Sequence, residues 1–143
     1  MLVLIVGCGR TGSALAARML AKGCDVSCLD EDPEGEERLN AVLGSDFVEQ
    51  GNFTIGAALE VGALEDAGIA DADVLIASTD GDNTNIVVAQ LARERYGVKT
   101  VLARVMDPLR AEWYAEQGLE TVCPTRAAIE MLETKLEKAL GGG

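Results

Sequence analysis

The hexapeptide Gly7-Cys8-Gly9-Arg10-Thr11-Gly12 constrains the fold of this chain more than any other stretch. It follows the apolar run Leu2–Val6 and leads into a helical pattern from Thr11 to Lys22, closed by Gly23. A strand that passes to a helix through G-x-G-x-x-G has few geometries open to it. Gly7 permits the tight turn, Gly9 lets backbone approach a pyrophosphate, and Gly12 allows close packing of the helix. The first N–H groups of that helix, with its dipole, then form an anion site.

Short apolar runs keep alternating with helical patterns along the rest of the chain. Val26–Asp30 reads as a second strand, and the acidic stretch Glu31–Glu37 opens a polar helix to about Leu43, stopped at Gly44. A weaker third strand is expected over Phe47–Gln50, and a helix over Ile55–Ala67. Val74–Ser78 is the strongest central strand, introduced by the turn Asp71-Ala72-Asp73. Asp82-Asn83 can cap a helix running from about Thr84 to Tyr96. Thr100–Val105, Pro108–Glu116 and Thr121–Cys123 add a strand, a short helix and a brief sixth strand. Pro124-Thr125 leads into a last helix ending near Leu140, so one domain over 1–140 is expected, with 141–143 as a flexible tail. Such alternation predicts a three-layer α/β Rossmann fold: a six-stranded parallel sheet with helices on both faces. The glycine motif adds the strand order 3-2-1-4-5-6. The composition agrees, because 48% of residues are hydrophobic but only 3% aromatic, leaving Val, Leu, Ile and Ala to build the core.

Asp30 ends the second strand, roughly twenty residues beyond the loop, where a carboxylate accepts from the ribose hydroxyls of an adenosine. Its charge would repel a 2′-phosphate, so NAD(H) or ATP/ADP is expected and NADP is not. Glu31, the next acid, belongs to the same candidate site. Arg10 reads either as a partner for a terminal phosphate or a neighbouring subunit, or as a solvent-facing arginine that the helix dipole disfavours. The net charge of −12 argues against nucleic acid as a partner. The cysteines at 8, 24, 28 and 123 come with no histidine and no Cys-x-x-Cys pair, so they read as small hydrophobes, and no metal site is expected. No basic segment precedes the first strand and no apolar run spans a bilayer, which places the expected location in the cytoplasm without direct membrane insertion.

A dehydrogenase needs a proton donor near the nicotinamide and usually a second domain for substrate. This chain has no histidine, Tyr96 and Lys99 are too close for a Tyr-x-x-x-Lys pair, and six strands with their helices use the whole length. Binding without turnover is therefore expected, and the chain is not read as an enzyme.

With these residues in place, the chain resembles the RCK N-terminal domain, also called KTN or TrkA-N, the regulatory nucleotide-binding domain of Trk and Ktr potassium transport systems and of channel gating rings. The resemblance covers about residues 1–140 and rests on four stretches: Ile5 through Gly12, the acid Asp30, the run Ala67 through Ala77, and Ala103-Arg104-Val105 with Asp107-Pro108. The Gly68-Ile69-Ala70-Asp71-Ala72-Asp73 phrase is the most specific, followed by Thr79, Asp80 and Asn85 in the family's usual spacing. The resemblance implies that Asp30 holds the ribose, that the Gly51-Asn52 step with Phe53 lies beside the adenine, that Thr79 and Asp80 close over the ligand, and that Arg104 reaches phosphate. Helix capping is the competing role for Asp80 and Asn85. The resemblance also sets Asn52 where the family usually has Asp, an exchange that bears on ligand preference.

The resemblance further implies a homodimer or larger ring, paired through helices such as the last one with its stripe Ile129, Leu132, Leu136 and Leu140. It implies a membrane potassium transporter subunit as partner, and a location peripheral to the inner face of the cell membrane through that partner. Full-length Trk-type regulators often carry a further small domain, so the chain reads either as a single-domain regulator or as part of a longer one. Two alternatives stand beside it: the cofactor-binding fragment of an NAD-dependent dehydrogenase, and the cytosolic domain of a cation/proton antiporter or channel.

Overall fold

A computed structural model describes residues 1–141; the last two glycines of the expected tail lie outside the described residues. Six strands form one sheet: β1 (Leu2–Val6), β2 (Asp25–Asp30), β3 (Asn52–Ile55), β4 (Val74–Ala77), β5 (Thr100–Arg104) and β6 (Thr121–Val122). Every pairing is parallel, and the order is β3-β2-β1-β4-β5-β6, the order the glycine motif predicts. The connecting helices are α1 (Arg10–Ala21), α2 (Gly35–Leu43), α3 (Val61–Asp66), α4 (Asp82–Glu94), α5 (Pro108–Glu116) and α6 (Pro124–Ala139).

β1 shows why the sheet must be covered twice. Leu4 and Val6 point into a core shared with α3, α4 and α5, whereas Val3 and Ile5 point into a second core with Ala16 of α1, Leu39 of α2, and Phe47. All four β1 residues are buried, so the strand reads as a continuous apolar run rather than an alternating one. The run before β4 docks that strand on β1: Gly68 takes φ +100°, and the Asp73 carboxylate accepts the Leu2 N–H at 2.8 Å.

The third strand is not where the sequence reading put it. Phe47–Glu49 forms a 3-10 turn, and pairing with β2 begins at Asn52, opposite Ser27. The apolar Phe47-Val48 pair suggested a strand, but Phe47 is a plug: its ring is wholly buried and its N–H donates to the Asn40 side chain at 2.7 Å. The helix expected over Ile55–Ala67 is shorter as well. Ile55 ends β3 opposite Asp30, Gly56 continues the ladder by donating to the Asp30 carbonyl at 3.0 Å, and α3 starts only at Val61. Residues 56–59 instead border the cleft described below. Gly141, the one described residue of the expected tail, donates its N–H to the Lys138 carbonyl at the end of α6.

Candidate functional site

The carboxyl ends of β1 and β4 lie side by side where the strand order reverses, the position at which open parallel sheets bind ligands. A cleft of about 790 Å3 opens there. Its floor is the glycine loop, and a Cβ shows what each glycine does. At Gly7, φ is +98° and a Cβ would come within 2.7 Å of the Ser78 and Thr79 backbone, so only glycine lets β1 turn under β4. At Gly12, a Cβ would sit 2.0 Å from the Gly7 carbonyl oxygen, so α1 packs on the loop only without a side chain. A Cβ on Gly9 meets no protein atom within 4 Å, and Gly9 lines the cleft. The first turn of α1 has no side-chain cap, so its N–H groups face the cleft as donors.

Asp30 forms the β2 side. Its Oδ2 accepts the Cys8 N–H at 2.8 Å and its Oδ1 accepts the Asp32 N–H at 3.0 Å, so the carboxylate is fixed by backbone. Its side chain keeps 15% exposure, and each oxygen retains a lone pair for a further donor. Glu31 is exposed beside it. Asp32 accepts the Glu34 N–H and lies 3.2 Å from Arg38 Nη1; those two contacts hold its carboxyl below the usual carboxylate range.

Arg104, at the end of β5, forms the opposite wall. Its Nη2 donates to the Thr79 carbonyl at 2.6 Å and stands 3.6 Å from the exposed Asp80 carboxylate, while its buried Nε has no partner among the described residues. Asn85 holds this wall together. Its Oδ1 accepts from the Thr79 N–H and hydroxyl, and its Nδ2 donates to the Thr79 and Arg104 carbonyls, all within 3.0 Å. The cleft thus gathers Asp30, Glu31, Asp32 and Asp80 against Arg10, Arg38 and Arg104, beside the positive end of α1.

Of the expected site residues, Gly7, Gly9, Arg10, Thr11, Asp30, Glu31, Thr79, Asp80 and Arg104 line the cleft together. Gly12 lies beneath it as packing. Cys8 contributes its backbone; its side chain is buried against Cys28, whose thiol that neighbour and burial push up. Asn85 is wholly buried and touches the cleft only through Thr79 and Arg104. It does not cap α4, and neither does Asp82, whose carboxylate instead accepts the Met106 and Asp107 N–H groups.

Gly51, Asn52 and Phe53 do not line this cleft. They sit at the start of β3, roughly 10 Å of strand away from its cleft end. Gly51 is closed in by the Phe47 ring and the Val26 carbonyl, Asn52 donates to the Ser27 hydroxyl, and Phe53 packs on Gly35. Placing the third strand at Phe47–Gln50 put the expected base contact at the start of β3, away from this cleft. The segment that reaches the cleft is Gly56-Ala57-Ala58-Leu59, which carries no polar side chain. Arg38 and Ser78 were also missed; the signal for Arg38 was a lone base among the acids that follow Asp30.

The TrkA-N domain family matches residues 3–125. The Trk system potassium uptake protein TrkA of Streptomyces coelicolor is 38% identical over 94% of this chain and 57% of its own length. The glutathione-regulated potassium-efflux system protein KefC of an Enterobacter species is 33% identical over 90% of this chain and 19% of its own length. Among solved structures, the AMP-bound Kef CTD of Shewanella denitrificans superposes with a TM-score of 0.78 at 26% identity, covering 99% of this chain and 82% of that one. The chain therefore spans little more than half the length of the curated TrkA relatives it matches.

Proposed function

The chain belongs to the TrkA-N domain family, and from that premise we propose that it is the nucleotide-sensing part of a potassium transport regulator. The observation that carries this reading is one cleft in which a backbone-fixed acid, Asp30, faces the uncapped start of α1, with Arg104 across from both. Those groups suit the ribose, the phosphates and the negative charge of an adenine nucleotide, the class bound by the AMP-containing Kef relative. Asp30 receives the ribose hydroxyls, the first-turn amides of α1 receive phosphate, and Arg104 exchanges its exposed Asp80 partner for a phosphate oxygen. NAD(H) and ATP/ADP both fit this division of labour. The acids around Asp30 disfavour a 2′-phosphate and so NADP. Arg10, exposed on the loop, reaches beyond the first phosphates and separates a triphosphate from a dinucleotide.

The site binds without turnover. The cleft lining contains no histidine, tyrosine, lysine or cysteine; its proton-transfer groups are carboxylates, of which Asp30 and Asp32 are already held by backbone N–H groups. Tyr96 follows the far end of α4, roughly 20 Å of helix from the cleft, and donates its hydroxyl to Glu65.

Signalling requires a second body. α6 has no buried residue, and Ile129, Leu132, Leu136 and Leu140 are all more than half exposed along it. Two copies paired through this stripe would form a dimer whose geometry a bound nucleotide shifts by its differential affinity for two arrangements. A membrane potassium transporter on the cytoplasmic side reads that change. Among the described residues, no helix is long and apolar enough to cross a membrane. A second reading, the equivalent domain of a potassium-efflux protein, draws on the likeness to KefC.

Calorimetric titration with NADH, NAD, ATP, ADP and AMP, paired with solution scattering of the same samples, tests the proposal. Binding of at least one nucleotide with a changed dimer profile is expected. Saturable binding with the same profile for every nucleotide would remove the sensor role.

A further inference from the structure

Arg38 enters the cleft from α2, and its three guanidinium nitrogens face three residues on two other segments, the glycine loop and the end of β2. Nε donates to the Cys8 carbonyl of the glycine loop at 2.9 Å. Nη1 donates to Asp32 Oδ2 at 3.2 Å. Nη2 stands 3.6 Å from Asp30 Oδ2, the oxygen that also accepts the Cys8 N–H. Cys8 is thus gripped at both ends, its N–H by the acid and its carbonyl by the base. A planar fork makes this three-way contact; a lysine ammonium on a flexible stem does not.

We propose that Arg38 is a positioning residue that makes the ribose end of the cleft selective for a free 2′-hydroxyl, acting through Asp30; this rests on the nucleotide-binding reading above. An arginine beside the acid of β2 has two roles open to it. With its nitrogens free, it reads a 2′-phosphate. With its nitrogens already facing acceptors, it sets the orientation of the acid. Here Cys8, Asp32 and Asp30 supply those acceptors. One guanidinium also leaves the neighbouring Asp30, Glu31 and Asp32 with excess negative charge. A 2′-phosphate would have to draw Arg38 away from two carboxylates and then remain beside them. A 2′-hydroxyl needs only to donate to an Asp30 oxygen that is already aimed.

Calorimetry of ADP, 2′-deoxy-ADP and adenosine 2′,5′-bisphosphate on the unaltered chain, Arg38→Ala and Arg38→Lys tests this, with thermal melts to confirm that each is folded. A hydrogen bond to an ionised group sets the scale, so the unaltered chain should favour ADP over 2′-deoxy-ADP by about tenfold. Arg38→Ala should lose most of that preference, weakening ADP about tenfold but 2′-deoxy-ADP by less than about threefold. Arg38→Lys should not restore it. Equal weakening of both nucleotides would overturn the proposal, because support of the fold alone does not distinguish a 2′-hydroxyl. A preference for the bisphosphate that disappears in Arg38→Ala would overturn it in the other direction, making Arg38 a phosphate receptor. No ADP binding by the unaltered chain would overturn the nucleotide reading itself, and that titration alone reveals it.

Discussion

The carboxylate of Asp30 accepts the backbone N–H of Cys8 at 2.8 Å, tying the end of β2 to the glycine loop that follows β1. Through this bond, the group proposed to hold a ribose also fixes the backbone proposed to hold a phosphate. The two halves of a nucleotide would therefore be sensed by one connected structure.

Removing the charge at Asp30 should affect both halves. Asp30→Ala is expected to weaken every adenine nucleotide by about tenfold to a hundredfold, the scale of one or two hydrogen bonds to an ionised group. Asp30→Asn keeps one acceptor and should retain more of the folded loop than of the binding. Calorimetry and thermal unfolding, run on both variants, separate these effects. An Asp30→Ala protein with unchanged affinities would remove Asp30 from the site.

Gly9 and Gly12 should fail in different ways. A Cβ at Gly9 enters the cleft and meets no protein, whereas one at Gly12 would lie 2.0 Å from the Gly7 carbonyl. Gly9→Ala should melt within a few degrees of the parent but bind nucleotide at least about tenfold more weakly, since the methyl stands where backbone must approach phosphate. Gly12→Ala should lose roughly 1–3 kcal/mol of stability, as overpacking does. Matching melts for the two variants would contradict this division.

Much of this arrangement was legible in the sequence because the relevant residues sit where periodicity is strong. β1, the end of β2 at Asp30 and the docking run before β4 are continuous apolar or motif-bearing stretches, and the strand order followed from them. The third strand was misread for a physical reason. β3 lies at the sheet edge and is only partly buried, so its Asn-Phe-Thr-Ile sequence shows little apolar signal, while the nearby Phe47 is a buried plug in a turn. That single slip carried the expected base contact to Gly51, Asn52 and Phe53 and hid the Gly56–Leu59 rim. Arg38 showed in the sequence only as a lone base among acids, because its role comes from side-chain reach from α2 to the glycine loop and the end of β2, which spacing along one helix does not report.

Asn85 was expected to touch ligand or cap a helix, and its fully buried position gives a sharper expectation. It makes four hydrogen bonds, to both ends of Thr79, to the Thr79 hydroxyl and to the Arg104 carbonyl. Asn85→Ala strands buried backbone groups and should cost roughly 2–4 kcal/mol, the penalty for one or two unsatisfied donors or acceptors. Because Thr79 and Arg104 line the cleft, nucleotide affinity should fall with it. Asn85→Asp keeps the acceptor but loses the donor, so it should be no better than alanine. Denaturant unfolding of both variants, with ADP titration of each, checks the coupling; a stable Asn85→Ala protein would break it.

The buried thiol pair predicts a pH effect. Hydrogen bonding to Cys8 and burial raise the Cys28 thiol above its ordinary value of 9.0, so the folded state holds a proton that the unfolded chain releases. The sign follows from linkage. The stability supplied by the protonated thiol is fully present below pH 9.0 and is lost as pH climbs above it, at about 1.4 kcal/mol per unit for one proton. Cys28→Ala removes the proton and should flatten the alkaline limb by that slope, even where the small cavity lowers stability at neutral pH. Thiol labelling supplies an independent check. Cys24 and Cys123 are partly exposed and should react in the folded protein, whereas Cys8 and Cys28 should react only on unfolding. Denaturant titrations between pH 8 and 10.5 would show the difference, and identical alkaline slopes for parent and Cys28→Ala would mean that Cys28 is not held protonated by the fold.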